Sequence, residues 1–130
     1  MGCAGNSDVV LDPGLRQVQT QAVYYVYVGA ESADLIHRIR LDPEGLTVDH
    51  TTPVGETAVE TEGPHGLNVS PDGEHLYMTT AHGVPDGKLW KFHAGPDTLV
   101  ANPILLGNFP ATMDLTPDGL YAFVVNFNLH

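Results

Sequence analysis

Short apolar runs bounded by Gly, Pro and Asp, rather than long amphipathic stretches, organise the chain. Val23-Tyr24-Tyr25-Val26-Tyr27-Val28-Gly29 is followed by Leu35-Ile36-His37-Arg38-Ile39-Arg40-Leu41 and by residues 46–50. Further runs cover residues 64–69, 75–80, 88–93, 99–106, 108–115 and 120–128. Each is rich in the β-branched and aromatic residues that fit a pleated surface, and turn residues separate them. The pattern predicts roughly nine strands and no helix, an all-β chain.

Two of these stretches repeat. Gly63-Pro64-His65-Gly66-Leu67-Asn68-Val69-Ser70-Pro71-Asp72-Gly73 leads into Glu74-His75-Leu76-Tyr77-Met78-Thr79-Thr80. Asn108-Phe109-Pro110-Ala111-Thr112-Met113-Asp114-Leu115-Thr116-Pro117-Asp118-Gly119 leads into Leu120-Tyr121-Ala122-Phe123-Val124-Val125-Asn126. Ser70 and Thr116 head the matched tetrapeptides and stand 46 positions apart, within the roughly 40–50 residues of a four-stranded propeller blade. In the tetrapeptide, Ser or Thr caps the turn, Pro sets φ, Asp bonds back to the backbone and Gly supplies positive φ. Each unit therefore reads as inner strand, turn and second strand. Residues 88–93 and 99–106 follow as third and fourth strands. The segment before it supplies a second strand (23–29), a third (35–41), the turn Asp42-Pro43-Glu44-Gly45 and a fourth from Leu46, with an acidic insertion at 57–62.

Pro64-His65-Gly66-Leu67-Asn68-Val69-Ser70-Pro71-Asp72-Gly73 with His75-Leu76-Tyr77-Met78-Thr79 resembles the YVTN-repeat β-propellers. Tyr27-Val28-Gly29 and Ile39-Arg40-Leu41-Asp42-Pro43-Glu44-Gly45-Leu46 resemble the lactonase-type seven-bladed propellers. The resemblance implies β-propeller blades of four-stranded antiparallel sheets over residues 22–130, about 2.5 blades of an incomplete ring. A blade face is covered only by its neighbour, so the remaining blades of a longer chain, or self-association, are expected to close the ring.

Residues 1–21 read as a leader or linker. Gly2-Cys3 followed by small residues resembles the processed end of a bacterial lipoprotein, with Cys3 as the lipid attachment point and an extracytoplasmic location. A myristoylation signal and an incidental cysteine are the competing readings; the first wants Ser or Thr where Asn6 stands. The chain has 16 acidic against 5 basic residues, a net charge of −11. That excess disfavours nucleic acid and leaves membrane contact to a lipid anchor. The single Cys excludes an intrachain disulfide framework and a multi-cysteine metal site within this sequence.

Seven histidines are the conspicuous ligand supply. His65 opens an inner strand, while His82 and His130 follow second strands. These three are the candidate metal ligands. The propeller resemblance implies a transition metal such as copper, because nitrous oxide reductase holds a copper cluster with histidines in a seven-bladed propeller. Ala111 occupies the position equivalent to His65 in the next unit, which argues instead for a turn role. His37 and His93 fall in third strands, and His50 and His75 beside turns or outer strands. Asp72 and Asp118 read as turn residues, Trp90 and Phe92 as packing between blades, and Glu31, Asp34, Glu56, Glu60 and Glu62 as a solvated acidic face. Asn68-Val69-Ser70 matches a glycosylation sequon, discounted because it lies in an inner strand before Pro71. No nucleophile with an adjacent base is recognisable. The leading expectation is a binding or scaffold module for a protein, polysaccharide or small molecule. The alternative is part of a propeller enzyme, either a lactonase-like hydrolase or a histidine-ligated metal oxidoreductase.

Overall fold

A computed structural model describes residues 22–127. The expectations at Cys3 and His130 lie outside them. The described residues form antiparallel sheets that are not closed into a barrel, the arrangement of propeller blades. The first sheet contains β1 (Tyr24–Ala30), β2 (Leu35–Asp42) and β3 (Gly45–Pro53), paired in that order. A single 3-10 turn, Glu31–Ala33, connects β1 to β2. The second sheet contains β4 (Pro64–Val69), β5 (His75–Thr80), β6 (Lys88–His93), β7 (Thr98–Leu99) and β8 (Ile104–Leu105). The third pairs β9 (Pro110–Leu115) with β10 (Ala122–Asn126).

The repeated turns do what their residue types dictate. Gly73 N–H donates to Ser70 O and Gly119 N–H to Thr116 O, both at 2.8 Å, and the two glycines have φ of 76° and 71°. The Asp72 and Asp118 carboxylates accept from Glu74 N–H (2.9 Å) and Leu120 N–H (3.0 Å). Hydroxyl donation from Ser70 and Thr116 lowers the proton affinity of both carboxyls below the usual aspartate range. These are structural turns.

The expected continuous fourth strand over 99–106 is divided. β7 and β8 each pair with β6, at opposite ends of it. Between them stands Pro103, which has no N–H to give to a ladder.

The core forms where the first two sheets face each other. Ile36 of β2 packs with Leu76, Met78, Trp90 and Phe92, and Tyr27, Val54 and Leu67 close over the cluster. Trp90 and Phe92 stack at 6.4 Å with 12° between their planes, and the indole N–H donates to Thr80 Oγ1 at 3.0 Å. A second junction joins the second and third sheets. The buried Thr79 hydroxyl donates to Pro110 O at 2.7 Å and accepts Gly66 N–H at 2.8 Å. A Cβ on Gly66 would lie 3.0 Å from that oxygen and 3.1 Å from the Met113 backbone nitrogen, so only glycine allows this approach without displacing a neighbour.

Thr79→Val keeps the shape but orphans a buried N–H and a buried C=O. It is expected to cost about 2–4 kcal/mol of stability, read as a lower urea midpoint for the full chain. A loss under about 0.5 kcal/mol would contradict the bridging role.

Candidate functional site

The ends of β1 and β5 and the beginnings of β4 and β9 meet on one rim. Here three side chains converge. His65 Nε2 and His82 Nε2 lie 2.8 Å apart. Glu31 Oε1 is 2.7 Å from His82 Nε2 and 3.3 Å from His65 Nε2. Two of the three expected ligands, His65 and His82, are thus brought together. The third corner is Glu31, from the turn after β1.

The local backbone holds each corner. Asp34, at φ 51°, accepts Glu62 N–H (3.1 Å) and Gly63 N–H (2.7 Å) and ties the Glu31 turn to the entry of β4. His82 N–H donates to Glu62 O at 2.7 Å, fixing the exit of β5. Gly63 has φ 65°, and a Cβ there would meet His82 Cδ2 at 2.6 Å. A register irregularity between Pro64 and Leu67 interrupts the simple alternation expected along β4.

Phe109 from the third sheet packs its ring 4.9 Å from His65 and 5.0 Å from His82, edge-on to both. Its φ is 52°, a conformation that a bulky residue adopts only under constraint from its surroundings. Side-chain exposure falls from 53% at Glu31 to 37% at His82 and 19% at His65. Beside them is an open pocket of about 190 Å³ lined by Glu31, Ser32, Thr61 and His82.

The acidic residues do more than solvate a face. Glu62 is 0% exposed; its Oε1 accepts Glu56 N–H (2.6 Å) and Thr57 N–H (3.1 Å). Its Oε2 makes no hydrogen bond but lies 3.6 Å from Lys88 Nζ, which also pairs with Glu56 at 2.6 Å. Glu62 is therefore a buried carboxylate, which corrects the expectation that it belongs to the solvated acidic face; Glu56 and Glu60 are exposed.

The other described histidines remain apart from this centre. His75 and His93 face each other across β5 and β6 with centroids 5.4 Å apart. His50 lies 3.7 Å from Asp97, and His37 Nδ1 is 2.9 Å from the Thr51 hydroxyl on exposed strands. Buried Asp97 also accepts from Tyr27 OH (3.2 Å) and pairs with Arg38 (3.7 Å), latching the first two sheets. Asn68 donates its amide to Asp114 at 3.1 Å in an exposed contact between the second and third sheets.

No family model matches the chain, and no curated protein is similar to it. Solved structures are. A candidate 6-phosphogluconolactonase from Bacteroides fragilis matches with a TM-score of 0.61 and 22% identity, over 79% of this chain and 30% of that one. A functionally unknown protein from Desulfotomaculum acetoxidans matches with a TM-score of 0.60 and 22% identity, over 78% and 31%. The likeness is one of fold, and the chain spans about three-tenths of the length of these structures.

The hydrogen bond from His82, then the charge of His65, hold the Glu31 carboxyl below its ordinary value. With the proton bound less tightly in the folded state, the contact contributes stability above the unfolded value and loses it as pH falls through the folded one. A carbon-detected titration should place the Glu31 midpoint below that of an unperturbed glutamate, with a return toward the unperturbed value in His82→Gln. An unmoved midpoint in that variant would contradict the pairing.

Proposed function

We propose that this chain is part of an extracytoplasmic propeller of the YVTN type that works as a binding module, with Glu31, His65 and His82 at the centre of its ligand site. The observation that carries the proposal is the convergence of two imidazoles and a carboxylate, supplied by adjacent blades, beside an open rim pocket. Among the described residues, no hydroxyl or thiol hydrogen-bonds to either imidazole, so the nucleophile–base pair of covalent hydrolysis is not built here. The ligand is a protein segment, a polysaccharide or a small molecule carrying oxygen or nitrogen donors. The exposed apolar ends, Tyr24 and Tyr25 on β1 and Phe123 on β10, are to be covered by further blades or by a second copy. The lipoprotein-like Gly2-Cys3 supports the extracytoplasmic location.

A second reading has one specific observation in its favour. His82, 2.7 Å from Glu31, has the geometry of an imidazole oriented by a carboxylate to act as a general base toward water. That would suit a lactonase-like hydrolase, in keeping with the likeness to the Bacteroides fragilis protein.

Amide and imidazole resonances of the full chain, titrated with oligosaccharides, peptides and sugar lactones, separate the two readings. Binding without turnover, with shifts at Glu31, His65, His82 and Thr61, is expected. Lactone hydrolysis above the buffer rate, abolished in His82→Gln, would overturn the binding module in favour of the hydrolase. For the location, a fatty-acid label carried by the protein in a bacterial host should disappear in Cys3→Ser; an unlabelled wild type would contradict the anchor.

A further inference from the structure

The contacts among Glu31, His65 and His82 pose a problem that protons alone do not solve. In neutral imidazole each ring nitrogen has one in-plane position, filled by either a hydrogen or a lone pair. Two such nitrogens and one carboxylate oxygen all approach within 3.3 Å of one another. If His82 donates to Glu31, it has no lone pair left to accept from His65. If His65 donates to Glu31 as well, two N–H groups stand 2.8 Å apart and oppose each other. If neither donates, three lone pairs converge. Every neutral arrangement leaves at least one close contact without a directed hydrogen bond.

A cation at the common centre satisfies all three lone pairs at once. We propose that Glu31 Oε1, His65 Nε2 and His82 Nε2 form one face of a binding site for a divalent first-row transition ion. The proposal rests on the reading of this cluster as the binding centre and names what it binds. The three separations, 2.7, 2.8 and 3.3 Å, approach the ~3.0 Å edge of an octahedral face with metal–ligand bonds of about 2.1 Å. They are shorter than the ~3.4 Å edge that a tetrahedral set with similar bonds requires. Two imidazoles and a carboxylate suit zinc, iron, nickel or copper better than calcium or magnesium, which take oxygen ligands.

Two further features fit. The strained Phe109 fixes the pitch of both rings from the third sheet. The pocket lined by Ser32 and Thr61 leaves the solvent side open, so coordination positions outside the triad are available to water or to a donor atom of the ligand. His130, the third ligand expected from sequence, is not needed for this face. The ion would also join β4 and β5 to the turn after β1, adding a link between two sheets.

The test uses the full chain, stripped with chelator and titrated calorimetrically with Zn²⁺ and, separately, Cu²⁺. One ion per chain is expected, with a rise in melting temperature on loading. His82→Ala and Glu31→Gln should each weaken Zn²⁺ binding at least 100-fold with the circular dichroism unchanged. His75→Ala, at the exposed Asp72–Glu74–His75 group, should leave it unaltered. If His82→Ala does not fold, Glu31→Gln decides, because it removes a ligand charge from an exposed turn. Failure to take up either ion overturns the proposal, as does full-affinity binding in Glu31→Gln or loss of binding in His75→Ala. Organic ligand bound at the cluster in the presence of chelator, without metal uptake, sinks the metal site and leaves the binding module standing. Metal uptake with no organic ligand bound does the reverse.

Discussion

The hydrogen bonds through the Thr79 hydroxyl, out to Pro110 and in from Gly66, let separate sheets lie as neighbours. A blade of antiparallel strands satisfies its backbone only within itself, and its flat faces must be buried against another blade. Where inner strands approach, a buried polar group without a partner would cancel much of the gain from apolar contact. Thr79 removes that penalty with a single side chain that donates to one blade and accepts from its own. Between the first and second sheets, Asp34 at one rim and Asp97 at the other do comparable work around the Ile36–Met78–Trp90 core.

The site is a consequence of these junctions. Glu31 reaches the histidines because Asp34 captures two N–H groups of the next blade's entry. His65 and His82 come from opposite ends of the β4–β5 hairpin, which antiparallel pairing brings to the same rim. Phe109 arrives from the third sheet, beside the Pro110 carbonyl that Thr79 holds. Three consecutive blades therefore contribute to one centre, and none of them could form it alone.

Much of the architecture was legible because it is local. The Ser-Pro-Asp-Gly and Thr-Pro-Asp-Gly turns are decided by residues four positions long, and their hydrogen bonds follow from side-chain reach. The alternation in Lys88–His93 was enough to put Trp90 and Phe92 on one buried side. The fourth strand was overextended because an apolar run says nothing about whether its amides can pair, and Pro103 interrupts the ladder. Glu31 reads from sequence as solvated because its histidine partners lie in the next blade, and Glu62 because the folding of residues 56 and 57 back onto its carboxylate leaves no mark in an acidic run. A carboxylate's burial or ligation depends on which rim positions face each other across a junction, which the repeat length does not reveal. One clue was present: Glu31 follows a second strand, as His82 does in the next unit.

The contact between Asn68 and Asp114 has a separate consequence. These positions are 46 apart, one full period, so a residue of one repeat touches its own counterpart in the next. Had both copies kept Asp, two carboxylates would face each other across adjacent inner strands, and like charges so placed repel. Tandem copies of a single ancestral unit would therefore inherit a clash wherever that position is acidic. Two acidic copies are thus disfavoured at this self-facing position, and the amide–carboxylate pair meets the requirement with one neutral donor and one charged acceptor.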